Sequence, residues 1–498
     1  MSDGSLTSED PLPDEGPRGG MLRNSGALLA SRLVVAALGW LGSVVIIRTL
    51  SVHDFGRFTL VFSILGLLSV ITDMGIGRVA VGMFVDQPAD AQARLGGRYV
   101  TLRALLGVVG YVVALAVVML GGYGSSTVAA TAVAGLVVVL LTITNAHSVV
   151  FQAKERLVLP AVASSVGTAA QLALILVLST RTDALVPYMV PSVLAALVEF
   201  IVLVPAVRRL VPLRYGVDLK LWRRLLAEAV PISVGSAMAT LYYRVDGVML
   251  SQLASLTDVA IYGVAYKFVD IVHVVPWAVS TAALPRLVKR WPDAVASFRA
   301  EARHAALLLA VIAGFVLAEF EALAPQVVPF LYGEQYADAV LPARIVVLSE
   351  CLSFAGAFSL LVLIATAHHR RYPWIAAAGL VLNVGLNLVL IPSRGVVGAA
   401  FATVVTDLTV ATLLAVLLHR SGVLRGTRGW RLGRVALATA ITTGVALLLE
   451  SWVPWIVAAA VAGAVYVGLL LALRTFGPRG WRGMLHADPV DSPAPGTG

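Results

Sequence analysis

Fourteen apolar runs of about 20 residues, joined by short polar connections, make up most of this sequence. A run of that length crosses about 30 Å of hydrocarbon as an α-helix. Lipid offers no hydrogen-bond partner, so the backbone of each run must satisfy itself, which restricts the chain to a bundle of membrane-crossing helices. The runs fall at 24–47, 57–82, 99–120, 127–150, 159–179, 185–207, 228–252, 258–284, 303–331, 341–366, 373–392, 396–418, 433–450 and 453–473. Composition agrees: of 498 residues, 59% are hydrophobic and 13% charged, about half the ~25% charge of a soluble globular chain. A compact soluble enzyme is excluded. The lone cysteine, Cys351, excludes an internal disulfide and a thiolate metal site, and nothing else in the sequence calls for a metal or cofactor.

The 37 Lys and Arg residues test the orientation. With the N-terminus in the cytoplasm, 28 lie on inner segments and five (Arg48, Arg57, Arg181, Arg344 and Arg394) at outer turns. That bias predicts a multi-pass protein of the cytoplasmic (inner) membrane with both termini inside. It accounts for the formal charge of +9 without nucleic acid, whose binding needs basic residues gathered on a water-exposed face. The polar, acidic start is the opposite of a secretory signal; residues 1–23 read as a disordered cytoplasmic tail, with Met21 a candidate start. The Pro/Gly-rich 475–498 reads as a second tail.

Two internal matches organise the rest. Ser51, Asp54 and Phe58 recur as Ser255, Asp258 and Tyr262 at an offset of 204, and the run from Pro160 to Arg181 recurs from Pro373 to Arg394 at an offset of 213. Six helices per copy is an even number, so the copies run in the same sense, related by an axis along the membrane normal. The expected fold is an all-α polytopic membrane protein of about 14 transmembrane helices. Two six-helix lobes, 24–210 and 228–420, are related by a pseudo-two-fold axis around a central cavity. A basic cytoplasmic linker, 211–227, joins them, and two further helices follow in 421–474.

An ionised side chain in hydrocarbon costs at least ~2.5–3.5 kcal/mol, so each is expected to face protein or water. With Arg57, Arg103, Arg303, Arg344 and Arg434 at span edges counted with the connections, four cations remain within the spans: Arg32, Arg78, Arg244 and Lys267. Arg32 shares a helical face with Ser25, Ala36, Gly39 and Ser43, and Arg244 with Ser233, Ser236, Thr240, Gly247 and Ser251, small and polar stripes suited to lining a cavity. Asp246 is about 200° round the helix from Arg244 and does not neutralise it. Lys267 and Asp270, three apart, can pair directly, with His273 a turn further on. In Asp73-Met74-Gly75-Ile76-Gly77-Arg78 an acid and a base flank two glycines, the pattern of a broken helix whose freed backbone groups can meet a ligand. Its likeness to a dinucleotide fingerprint fails for want of a preceding strand. Cations at different depths suit an anion that must travel. The acids Asp73, Asp246, Asp270, Glu350 and Asp407 are candidate charge partners, or sites where H+ or Na+ couples to transport. Asn383 and Asn387 read as interhelical glue, and Tyr242, Tyr243, Tyr266 and Trp277 as an interfacial belt.

No P-loop, HExxH or GxSxG motif occurs, and the eight histidines are scattered. All external loops are short, which counts against a membrane enzyme that must hold an acceptor.

Three stretches carry a family resemblance: Leu50-Ser51-Val52-His53-Asp54-Phe55-Gly56 leading to Asp73-Met74-Gly75; Asp258 to Lys267; and Asn383-Val384-Gly385-Leu386-Asn387 through Pro392, followed by Gly395, Gly398-Ala399-Ala400 and Thr403. With the helix count, residues 21–420 resemble the polysaccharide-biosynthesis, or Wzx-type, oligosaccharide flippases of the multidrug/oligosaccharidyl-lipid/polysaccharide transporter superfamily. The resemblance implies movement of a polyprenyl-diphosphate-linked oligosaccharide between leaflets by alternating access, with membrane lipids as surroundings. It further implies Arg32, Arg78, Arg244 and Lys267 as contacts for the diphosphate or an anionic sugar, and a polysaccharide polymerase and glycosyltransferases as partners. Arg57-Phe58 and Arg394 depart from the family's usual residues at outer edges, where they bear on sugar choice. A lipid II flippase, a multidrug or cation antiporter of the same superfamily, and a membrane-embedded enzyme of glycan assembly stand as alternatives.

Overall fold

The structure is a computed structural model that describes residues 17–73, 75–85, 87–424, 430–449 and 452–475. Most of both expected tails, 1–16 and 476–498, lies outside the described residues. Every regular element among those described is helical. Among the described residues, twelve segments are long and apolar enough to cross a membrane, or thirteen when Leu219–Val230 and Ser233–Leu253, which meet at 64°, are taken as one span. The fourteenth expected run is hidden inside another. His369–Ser421 forms a single segment of 53 residues, about 80 Å at 1.5 Å per residue and more than twice the hydrocarbon thickness. It is folded at Gly395, whose φ of 55° and ψ of −135° only glycine adopts readily. Past that fold the carbonyl of Leu390 lies 2.2 Å from where a Cβ on Gly398 would sit. In a continuous helix those residues would be about 12 Å apart, so the segment is two arms.

Two compact units divide the chain, Met1–Thr240 and Leu241–Gly498. The first contains α1 (Pro17–Thr49), α2 (Val52–Asp73), α3 (Ile76–Val85), α4 (Ala89–Leu120), α5 (Ser125–Ala153), α6 (Val158–Ser179), α7 (Val190–Leu210) and the start of α8 (Leu219–Leu253). Here α1 packs on α6, α4 on α5, and α7 on both α5 and α6. The segment 211–218 lies along α4, where Arg214 N–H donates to the Ala93 carbonyl at 2.8 Å and Gly216 N–H to Thr101 Oγ1 at 3.3 Å.

The second unit holds α9 (Leu256–Val272), α10 (Val274–Arg290), α11 (Val295–Tyr332), α12 (Val340–Ala365), α13 (Tyr372–Ser421), α14 (Trp430–Leu449) and α15 (Trp455–Ala472). α12 packs against α9, α11 and α13, and the last two helices pack on α11 through Leu307, Val435, Tyr466 and Leu470 at one level and Ala322, Ala446 and Ala458 at another.

The sequence repeat at offset 204 is also a structural one. Ser51 Oγ accepts the Asp54 N–H at 3.1 Å at the start of α2, and Ser255 Oγ accepts the Asp258 N–H at 3.1 Å at the start of α9. Both are side-chain N-caps, which satisfy an amide that the helix cannot.

Candidate functional site

The expected break in the second apolar run is present. α2 ends at Asp73 and α3 begins at Ile76, with Gly75 at φ +61° and Ser233 Oγ 1.8 Å from where its Cβ would be. Any side chain there meets both backbone strain and a hydroxyl already in place. α3 presents Ile76, Ala80 and Phe84, four apart, to the interior. Ile76 and Ala80 join a core with Tyr99, Val100, Ala146, Val149, Trp222 and Leu225. That stripe fixes the helix's rotation, and Arg78, about 200° from Ile76, is left exposed. Gln92 Nε2 donates to the Phe84 carbonyl at 3.1 Å, holding the far end of α3.

Opposite this break stands Arg103, which sequence reasoning assigns to an inner connection. Its side chain is 3% exposed. The guanidinium donates to the Thr72 carbonyl and, at 3.0 Å, to the Asp73 carbonyl. It thereby satisfies the end of α2, where carbonyls lack an intrahelical partner and the helix dipole is negative. It also lies 3.2 Å from Asp73 Oδ1, on a carboxylate that is 68% exposed. Burial is possible because α4 carries small residues on the same face: Gly107 lies against Thr142, and a Cβ on Gly110 would meet Thr72 at 2.6 Å. The signal was available in the sequence, since Tyr99, Arg103, Gly107 and Gly110 follow one helical stripe, the same pattern that singles out Arg32.

Asp73, Gly75, Gly77, Arg78, Tyr99 and Arg103 line one cavity of about 400 Å³. Ser69, Asn145, Ser148, Gln152, Ser233 and Thr240 complete its polar wall. The size is that of a small-molecule site, roughly 300–1,000 Å³. Two guanidinium groups face one carboxylate, and the N-terminal end of α3 adds amides and positive dipole. An anion is the chemistry this wall accommodates.

Arg32 is elsewhere in the same unit. Its neighbour Ser31 is buried, donating to the Ala161 carbonyl at 2.7 Å and lying 2.9 Å from Ser165 Oγ, which turns α1 so that Arg32 and Ala36 are exposed. Gly39 has open space where a Cβ would be, so the small stripe expected around Arg32 is an uncovered face.

In the second unit the buried charged groups among the described residues are acids. Asp246 is 1% exposed. Tyr262 OH donates to its Oδ2 at 2.6 Å, Thr403 Oγ1 lies 3.1 Å from the same oxygen, and Asn387 Nδ2 donates to Oδ1 at 2.7 Å. Asn387 also donates to Asn383 Oδ1 at 3.1 Å; its own Oδ1, and Asn383 Nδ2, are buried with no hydrogen-bond partner among the described residues. One turn along both helices, Tyr242 OH donates to Asp407, which also accepts from Ser349 Oγ at 2.6 Å. Glu350, next in chain to Ser349, is 2.8 Å from His273 Nδ1. Tyr242 is thus a buried hydrogen-bond donor rather than part of an interfacial belt, and the Tyr266 ring lies 4.6 Å from that of Tyr262, tilted by 44°. Asn383 and Asn387, expected as packing glue, hold a carboxylate. Arg244 is exposed while Asp246 is buried, as their 200° separation predicts. Lys267 and Asp270 lie 3.6 Å apart, their side chains 30% and 57% exposed. Among the described residues no cluster of three or more His, Cys, Asp or Glu could hold a metal ion.

Comparison with known proteins places this architecture. A family model described as polysaccharide biosynthesis protein matches residues 21–291. No curated protein matches the sequence. Among solved structures, the fold is similar to that of the lipid II flippase MurJ in an inward closed conformation, with 12% identity, 93% of this chain and 100% of that chain covered, and a TM-score of 0.75. It is similar to a multidrug resistance MATE family transporter of the MOP superfamily in its inward-facing conformation, with 14% identity, coverages of 79% and 96%, and a TM-score of 0.66. A MOP superfamily transporter from Pyrococcus furiosus, described as having a binding pocket of reverse polarity, follows at 14% identity, coverages of 82% and 97%, and a TM-score of 0.58. At such identities the likeness establishes a shared fold, that of the two-lobed membrane transporters.

Proposed function

The chain belongs to the polysaccharide biosynthesis protein family, and from that membership we propose that it is a flippase moving a polyprenyl-diphosphate-linked oligosaccharide across the cytoplasmic membrane by alternating access. Both termini are cytoplasmic in this reading, and the cargo is delivered by glycosyltransferases and consumed by a polymerase. The observation that carries it is the cavity at the α2–α3 break, whose two guanidinium groups outnumber its one carboxylate. Guanidinium keeps its charge at any physiological pH and binds phosphate oxygens in a fork, which suits a diphosphate and disfavours a cationic drug. Arg32 and Arg244, exposed on helix faces rich in small residues, are further contacts along the substrate's path, and Lys267 a weaker one because Asp270 shares it. The protein acts as a transporter rather than an enzyme.

Coupling to H+ or Na+ falls to Asp246 and Asp407. The Asp246 carboxylate is held by neutral donors, Tyr262, Thr403 and Asn387, so it can take up a proton or a cation without stranding an oppositely charged neighbour.

The test is translocation of a lipid-linked oligosaccharide in proteoliposomes. Arg78→Ala, Arg32→Ala and Arg244→Ala are each expected to reduce it at least tenfold with insertion and expression preserved. Wild-type transport in all three overturns the assignment. Lipid II offered in the same vesicles separates the flippase of that substrate from the reading above.

A further inference from the structure

We propose that Arg103 is the anchor for the phosphate groups in this cavity and that Asp73 is a displaceable internal surrogate for them. The inference rests on the flippase reading for the identity of its natural ligand, but not for the chemistry of the site.

Arg103 and Asp73 are an unequal pair. The guanidinium is 3% exposed and the carboxylate 68%. Arg103 is fixed by two backbone carbonyls at the end of α2, whereas Asp73 can swing outward while its backbone stays in place. An incoming anion therefore meets a stationary cation and a mobile acid. The guanidinium retains donor capacity, for its Nε is buried without a hydrogen-bond partner among the described residues. A charged group with an unmet donor is a standing cost that an anion beside it lowers through its charge.

The remaining donors converge on the same space. Gly75 and Gly77 line the cavity and bring no side chain between a ligand and the first turn of α3. Arg78 lies on that turn, and Asn145 and Gln152 line the wall contributed by α5. Charge also balances. A diphosphate linking a lipid to a sugar carries two negative charges, and Arg78 with Arg103 carries two positive ones. With Asp73 in place one of those is already cancelled, so the acid lowers affinity and lets the anion leave again. Transport needs such reversibility: a site that binds its cargo too tightly does not release it.

Diphosphate of this kind comes from a lipid headgroup or from a free soluble compound. The experiment measures binding of inorganic diphosphate and, separately, of farnesyl diphosphate to the full chain in lipid nanodiscs. Wild type is compared with Asp73→Asn, Arg103→Lys and Arg103→Gln, with thermal unfolding recorded for each. Asp73→Asn is expected to tighten binding of at least one probe threefold or more, because the neutral amide no longer competes. Arg103→Lys is expected to weaken it at least tenfold, since one ammonium cannot serve both the α2 carbonyls and a phosphate fork. A response to farnesyl diphosphate alone identifies the lipid-borne headgroup as the ligand, and an equal response to both identifies the diphosphate itself. Unchanged or weaker binding by Asp73→Asn overturns the proposal, and that variant keeps it falsifiable if neither Arg103 variant folds. The flippase reading fails separately, when wild-type vesicles translocate no lipid-linked oligosaccharide whatever the binding data show.

Discussion

Among the described residues of the N-terminal unit the buried charge is a guanidinium, Arg103, and the acid beside it is largely exposed. In the C-terminal unit the buried charges are acids, Asp246, Asp407 and Glu350, held mainly by hydroxyls and an amide, with one imidazole on Glu350. A guanidinium cannot lose its charge, so the first unit offers a permanent positive wall. A carboxylate held by neutral donors can take up a proton or a cation without stranding an oppositely charged neighbour, so the second unit offers a negative charge that can be switched. In the function proposed above, the enclosed anion cavity therefore belongs to the first unit and the ion-coupling acids to the second, where the cations Arg244 and Lys267 lie outside the buried cluster. Each unit also has a glycine break: Gly75 lines a cavity, whereas Gly395 makes a fold that Asp258 braces by accepting from the Val396 N–H at 3.3 Å.

Substitutions can break this contrast. The largest effect is expected for Asp246→Ala, which removes the acceptor for Tyr262, Thr403 and Asn387 at once. A loss of ~3–5 kcal/mol, read as thermal unfolding in nanodiscs, follows from leaving several buried donors unsatisfied. Asp246→Asn should restore most of that stability, because hydroxyls can reorient to accept from an amide, while transport loses its response to the coupling ion. If the asparagine variant keeps that response, the acids are structural and the contrast collapses. Gly75→Ala comes next. Backbone strain and the Ser233 hydroxyl together should cost about 1–3 kcal/mol and close the break, lowering transport by the same vesicle assay.

Arg78→Ala sharpens the comparison from the other side. An exposed residue away from packing should change stability by less than about 0.5 kcal/mol, so a tenfold or greater loss of transport would isolate the role of charge. The smallest effect is expected for Lys267→Met. A partly exposed ion pair is worth roughly 0–1 kcal/mol, and stability and transport should both stay near wild type; a large transport loss would raise Lys267 from a weak contact on the anion's path to a principal one.

Much of the architecture was legible before any coordinates. Hydropathy and helical periodicity are local properties, so the spans, the break around Gly75 and the opposed directions of Arg244 and Asp246 could be read from single segments. The caps at Ser51 and Ser255 were legible for the same reason, since each joins residues three apart. The fold at Gly395 falls at the boundary between two of the apolar runs, 373–392 and 396–418.

What only the tertiary structure decided is the company each charge keeps. Tyr242 meets Asp407 across 165 residues, Asp246 meets Asn387 across 141, and Arg103 reaches Asp73 across 30. Periodicity says which way a side chain points from its own helix, but not which helix stands opposite or how closely small residues let it approach. For that reason the amino-acid sequence settled the class of fold and the presence of intramembrane charge, while packing determined that Arg103 is buried at the α2–α3 break and that the acids of the second unit lie among neutral donors.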